Sequence, residues 1–136
     1  MNKQKIKSQM WLALKQLAEL DALGPVVLSA GGALVMHGLR EETEDLDLEV
    51  SQEVWDELTQ GHGCAVDTSK GVDIIHLCKG VDLQLYDECR GNGILIIEGI
   101  LCQDLFAVLA LKQRLNREKD QADIAKIQAC LDGEEV

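Results

Sequence analysis

Apolar residues fall at three- and four-residue steps over residues 3–23, at Ile6, Met10, Leu14 and Leu17, with Trp11 beside them. That period predicts an amphipathic helix closed by Gly24-Pro25. The pattern then changes. Val26, Val27 and Leu28 form an unbroken aliphatic run, as a buried strand does. Gly31-Gly32 interrupts it, and residues 33–37 make a short helix that Gly38 stops. Asp45-Leu46-Asp47-Leu48-Glu49-Val50 alternates acid and apolar without a fault. Leu46, Leu48 and Val50 therefore face a core, and the three acids share the opposite face of a strand.

Residues 51–60 read as a helix with Ser51 as N-cap and Val54, Trp55 and Leu58 on its apolar side. After the Gly61-His62-Gly63 turn, residues 64–66 predict a short strand. Residues 72–77 and 81–86 predict a hairpin joined at Cys78-Lys79-Gly80. Gly91-Asn92-Gly93 is a further turn, and residues 94–97 a last strand. Residues 103–116 and 119–131 close the chain as two helices. No repeat, low-complexity tract or linker divides the sequence. The expectation is one domain over residues 1–136, an α+β fold with a mixed β-sheet flanked by helices.

The acid strand carries candidate chemistry. Residues two apart on a strand are roughly 7 Å apart, from a rise of about 3.3 Å each. Their carboxylates can converge on hard cations such as Mg²⁺, which favours carboxylate oxygens together with waters and substrate phosphates. Upstream, a glycine turn entering a helix offers backbone N–H groups to a phosphate. Asp45 and Asp47 are the expected metal ligands and Gly31 and Gly32 the expected phosphate contacts. Glu49, one step further from the turn, reads as a solvated end of the same face. Ser29 and Thr43 offer hydroxyls to substrate or to local backbone. Arg40 either pairs with an acid or touches substrate. His37 reads as a hydrogen-bonding residue at its helix end; His62 and His76 have no evident partner.

Gly31-Gly32, then His37-Gly38-Leu39-Arg40, Thr43 and Asp45-x-Asp47 resemble the signature of the nucleotidyltransferase superfamily. The resemblance is to its minimal bacterial branch, which includes nucleotidyltransferase-like toxins of toxin–antitoxin and abortive-infection systems. A second stretch, Ala110-Leu111-Lys112 followed by Arg117-Glu118-Lys119-Asp120-x-x-Asp123-Ile124, is similar to a helical segment of that branch. The resemblance implies a nucleotidyltransferase-like fold and Mg²⁺-dependent transfer of a nucleoside monophosphate from an NTP to an acceptor hydroxyl on a tRNA, protein or small molecule. It also implies a third carboxylate on a neighbouring strand, binding metal and accepting the acceptor's proton. Asp82, between Val81 and Leu83, fits that role; Asp73, between Val72 and Ile74, has the same local look. Lys112 becomes the candidate cation for the nucleotide phosphates, or else a lysine reaching off a buried helix. Asp120 and Asp123 also suit a helix's positive end.

Composition narrows the partners. The net charge of −11 and an aromatic content of 3% exclude a protein that coats nucleic acid, which needs many cations and stacking surfaces. Five cysteines (Cys64, Cys78, Cys89, Cys102 and Cys130) without a C-x-x-C pattern point to a reducing, cytoplasmic setting and away from zinc. No apolar run is long enough for a transmembrane helix, and the N-terminus is polar. Glu41, Glu42 and Glu44, just before Asp45, add negative charge where a triphosphate would have to sit. The alternative expectation is therefore a catalytically inactive binding or regulatory module on the same scaffold. It would act through a protein partner or as a homo-oligomer.

Overall fold

β1 (Val26–Ser29) is buried at all four positions, and a strand buried on both faces belongs inside a sheet. The structure, a computed structural model, describes residues 1–86 and 93–133. Over those residues six strands form one mixed sheet in the order β3-β4-β2-β1-β6-β5. The other five strands are β2 (Leu46–Val50), β3 (Ile75–Cys78), β4 (Val81–Leu85), β5 (Ile94–Ile97) and β6 (Ile100–Gln103). β2 runs antiparallel to β1 and parallel to β4, and β1 runs parallel to β6. With its helices this is an α+β arrangement.

The helices are α1 (Lys3–Glu19), α2 (Ala30–Met36), α3 (Gln52–Asp56), α4 (Leu105–Leu115) and α5 (Gln121–Leu131). On α1 the buried stripe is Ile6, Met10, Ala13 and Leu17. Leu14, expected in that stripe, is exposed, and so is Trp11. α1 stops at Glu19, short of Gly24-Pro25, because Asp21 turns left-handed at φ 55. Its stripe packs with Leu46, Leu48 and Val50 of β2, Leu83 of β4 and the apolar side of α3 in the main core. A smaller cluster of Ala33, Leu34, Val108 and Ile127 joins α2, α4 and α5.

Ser51 caps α3, its hydroxyl accepting from the Val54 N–H as expected; the helix continues as a π-helical turn, Glu57–Gly61. The two hairpins β3–β4 and β5–β6 each turn on two residues. Lys79-Gly80 is one tip; Cys78, expected within that turn, is instead the last residue of β3. Glu98-Gly99 is the other, with both residues at positive φ (49 and 82), as a tight hairpin matched to strand twist requires. Residues 100–103 are thus a strand. The helix expected from residue 103 starts at Leu105, capped by the Asp104 carboxylate on the Ala107 N–H at 2.8 Å. Residues 64–66 form no strand; pairing there is a single bridge, Asp67 with Ile74, and β3 begins at Ile75. Cys89 and most of the turn expected at residues 91–93 lie outside the described residues.

Candidate active site

β2 puts its apolar residues into the core and its acids on the other face, as the alternation demands. The neighbouring β4 does the same with Asp82 and Gln84. The register sets Asp47 directly beside Asp82 and Glu49 beside Gln84. Paired strands lie about 4.8 Å apart, so these side chains are immediate neighbours on one face. Asp45, Asp47 and Asp82 all line a cleft of about 660 Å³. One wall is the loop 70–74; the other is the C-terminal end of α4 with Lys112 and Arg114. A second cleft, of about 390 Å³, adjoins it and shares Asp45, Asp47, Lys112 and Arg117. Asp47 of β2 and Asp45, just before the strand, sit on the border between the clefts.

The aspartates strain against one another. Burial raises the pKa of Asp47, and the charges of Asp82 and Asp45 raise it further; Lys70 and Lys112 oppose the shift. The folded chain thus holds the Asp47 proton more tightly than the unfolded chain. By linkage, stability from this group is greatest below the unfolded pKa and declines as pH rises through the folded one. Ionised Asp47 therefore costs stability at neutral pH. Asp47→Asn should raise Tm at pH 7 without metal by a few degrees, about 1 kcal/mol. A Tm equal to or below the parent's would show that the repulsion is already relieved.

Asp73 occupies the loop rather than a strand, although it also lines the larger cleft. Of the two candidates for the third carboxylate, only Asp82 has a strand position beside Asp47. It is also engaged: the His76 Nδ1 lies 2.6 Å from Asp82 Oδ1, and the same ring's Nε2 lies 2.8 Å from Asp67 Oδ2. These two carboxylates raise the pKa of His76, Asp67 contributing most. The sequence offered no partner for His76, because Asp67 reaches it only through the bridge that folds the loop back.

Glu49 is not solvated. It is 2% exposed and accepts from Gln103 Nε2 at 3.2 Å. Gln103 Oε1 in turn accepts from the Ala30 N–H at 3.2 Å, and its backbone carbonyl lies 2.8 Å from His37 Nε2. Gln103, at the end of β6, therefore ties the acid strand to the start of α2. Sequence reading misses it, since a single amide between a strand and a helix carries no periodic signal.

The diglycine differs from expectation. Gly31 and Gly32 lie inside the first turn of α2, and the sharp bend falls on Ala30 at φ 52. Gly31 lines the smaller cleft; a Cβ there would come within 2.8 Å of Arg40 Nη1 and Thr43 Oγ1. Gly32 lines neither cleft, and its missing Cβ makes room for Leu28 Cδ1 at 2.7 Å. Thr43 uses its hydroxyl on the Asp45 carbonyl at 3.2 Å, and Ser29 donates to the Asp47 carbonyl at 2.9 Å. Both hydroxyls thus brace the backbone of the acid strand. The Met1 ammonium and the Thr43 carbonyl join the N-terminus to the same loop.

Lys112 does not reach off its helix. It is buried, with Nζ 3.3 Å from Asp120 Oδ1 and 3.2 Å from Asp123 Oδ2. Arg117 grips Asp120 through Nε at 2.7 Å and Nη2 at 3.0 Å, and Arg40 lies 3.8 Å from Asp123. The Arg117 hydrogen bonds draw the Asp120 pKa down to about 2. Arg40 is the acid-paired residue of its two readings. Asp120 serves as a buried counter-ion, beyond any helix-end role.

The donor set fits a hard divalent cation: Asp47 and Asp82 in register on adjacent strands, and Asp45 just before β2 on the same cleft. Among the described residues, no three His, Cys, Asp or Glu side chains already close around one point.

Compared with protein-family models, curated proteins and solved structures, the chain gives no match.

The site therefore stands on its own geometry. Its floor is acidic, its α4 wall is cationic, and its apolar lining is aliphatic: Val72, Ile74, Leu85, Leu111 and Leu115. Among the described residues no helix is long and apolar enough to cross a membrane.

Proposed function

We propose that the chain is a nucleotidyltransferase-like domain that transfers a nucleoside monophosphate from an NTP to an acceptor hydroxyl. The observation that carries this reading is the register of β2 on β4, which sets Asp47 beside Asp82, next to Asp45, on the floor of a cleft walled by cations. Asp45 and Asp47 would hold Mg²⁺, with Asp82 completing the set. A bound Mg²⁺ supplies charge neutralisation for the triphosphate and for the developing oxyanion. The Asp82 carboxylate takes the proton of the acceptor hydroxyl. The freed oxygen forms a bond to the α-phosphorus in line, and the bond to the leaving pyrophosphate breaks. Lys112, pinned between Asp120 and Asp123, supports the phosphate side of the clefts from a fixed position. Gly31 lines the smaller cleft and leaves room there for Arg40 and Thr43, which a side chain would displace.

The test is incubation of the chain with Mg²⁺ and each of the four α-labelled NTPs over tRNA, protein and small-molecule acceptors. Label on one acceptor class with release of pyrophosphate supports the reading. A second reading, a module that binds nucleotide or a partner without transfer, is favoured by one feature: Asp82 is already engaged by His76. It gives nucleotide or partner binding with no label moved under any condition.

A further inference from the structure

The larger cleft has a wall that the residues discussed so far do not explain. The loop 67–73 is fixed at its base and presents a lysine at its tip. Asp67 and Ile74 exchange backbone hydrogen bonds at 2.7 and 2.9 Å. Asp67 Oδ1 accepts from the Ser69 N–H at 2.8 Å and the Ser69 hydroxyl at 2.6 Å, which closes a local turn. Gly71 turns at φ 81, and residues 70–74 line the cleft. His76 bridges Asp67 at the loop base to Asp82 on the cleft floor.

The cations around the cleft are not equivalent. Lys112 and Arg117 are already held by Asp120, and Arg114 is not free either. Lys70 makes no ion pair among the described residues, is exposed, and lies close enough to count among the charges acting on Asp47. Neutralised cations attract an incoming polyphosphate weakly, whereas an unpaired one facing an open cleft can make a charge-assisted contact.

We propose that Lys70 is a phosphate-binding residue, contacting the triphosphate from the side opposite α4, and that His76 is the positioning residue that holds its loop against Asp82. The inference rests on the transferase reading for the identity of the ligand. Lys70 supplies the contact; His76 makes none of its own and ties the loop base at Asp67 to Asp82.

Calorimetric titration with magnesium tripolyphosphate tests it without any transfer step. Lys70→Ala should weaken binding about tenfold, as loss of one charge-assisted contact does. Lys70→Arg should stay within about threefold of the parent. His76→Ala should weaken binding to a similar extent, and the double variant K70A/H76A should lose no more than either single one, since both remove the same contact. Lys70 is exposed, so K70A tests the idea in a folded chain. Parent-like binding by K70A overturns the proposal even where label transfer is observed. Tripolyphosphate binding that depends on Lys70 upholds it even where no label moves. A parent chain that binds no tripolyphosphate overturns it as well.

Discussion

The double substitution Asp45→Asn with Asp47→Asn is expected to abolish movement of α-label from NTP to acceptor, by about a thousandfold or more. It should do so in a chain at least as heat-stable as the parent. The two halves of that result share one cause. Asp47 lies beside Asp82 on one sheet face with Asp45 at the head of its strand, and burial together with the charges of Asp82 and Asp45 raises the pKa of Asp47. Crowding costs folding energy and is the usual mark of carboxylates held ready for a cation. The side chains of Leu46 and Leu48, which hold the strand down, point the other way and are untouched. Transfer at the parent rate by the double variant, with pyrophosphate released, would remove both aspartates from the chemistry. Loss of transfer together with a large fall in Tm would instead assign them a structural role.

The second large effect concerns stability. Asp120→Ala should cost about 3 kcal/mol, the usual cost of breaking a buried ion pair from one side. For a chain of 136 residues that lowers Tm by about 10 °C. Asp120 is 1% exposed and answers two cations at once, so its removal leaves Lys112 leaning on Asp123 alone and Arg117 without its fork. The pH dependence has a definite sign. The folded pKa of about 2 is below the unfolded carboxylate value. The stabilisation is thus present in full above the unfolded value, near 3.9, and fades as pH falls toward 2. Denaturation curves of parent and variant should be far apart at pH 7 and converge toward pH 2. A constant gap between pH 7 and pH 2 would mean that the ion pairs are not what Asp120 contributes.

Local pattern made much of this legible in the sequence. β2 can be read from its alternation alone, since period two leaves only one way to hide Leu46, Leu48 and Val50. The hairpin at Lys79-Gly80 and the Ser51 cap are short-range chemistry and need no tertiary knowledge. β6 was open to the same reasoning: Glu98-Gly99 between two aliphatic runs is a two-residue turn, and treating it as an interruption hides the strand beyond it. The site is legible in part. The three aspartates follow from strand alternation, but their meeting depends on β2 lying next to β4, which no local pattern states.

What escapes the sequence is held by distant partners. Glu49 looks like a solvated strand end until Gln103, 54 residues later, covers it. Lys112 looks like an exposed helix lysine until the chain folds back with Asp120, just before α5, and Asp123 on it. The Gly31-Gly32 pair looks like a turn, whereas its lack of side chains serves clearance for Arg40, Thr43 and Leu28, and the backbone bend falls on Ala30. Burial and ion pairing across such distances are properties of the packed chain.

The account turns on whether Asp45 and Asp47 grip a metal-bound triphosphate. Anomalous diffraction from a crystal soaked with Mn²⁺ and a non-hydrolysable NTP reads this directly. The prediction is a manganese peak about 2.2 Å from carboxylate oxygens of both aspartates, with the phosphates in the cleft between the loop 70–74 and α4. A crystal with the nucleotide or the manganese bound elsewhere, and Asp45 and Asp47 contacting only water, would contradict it.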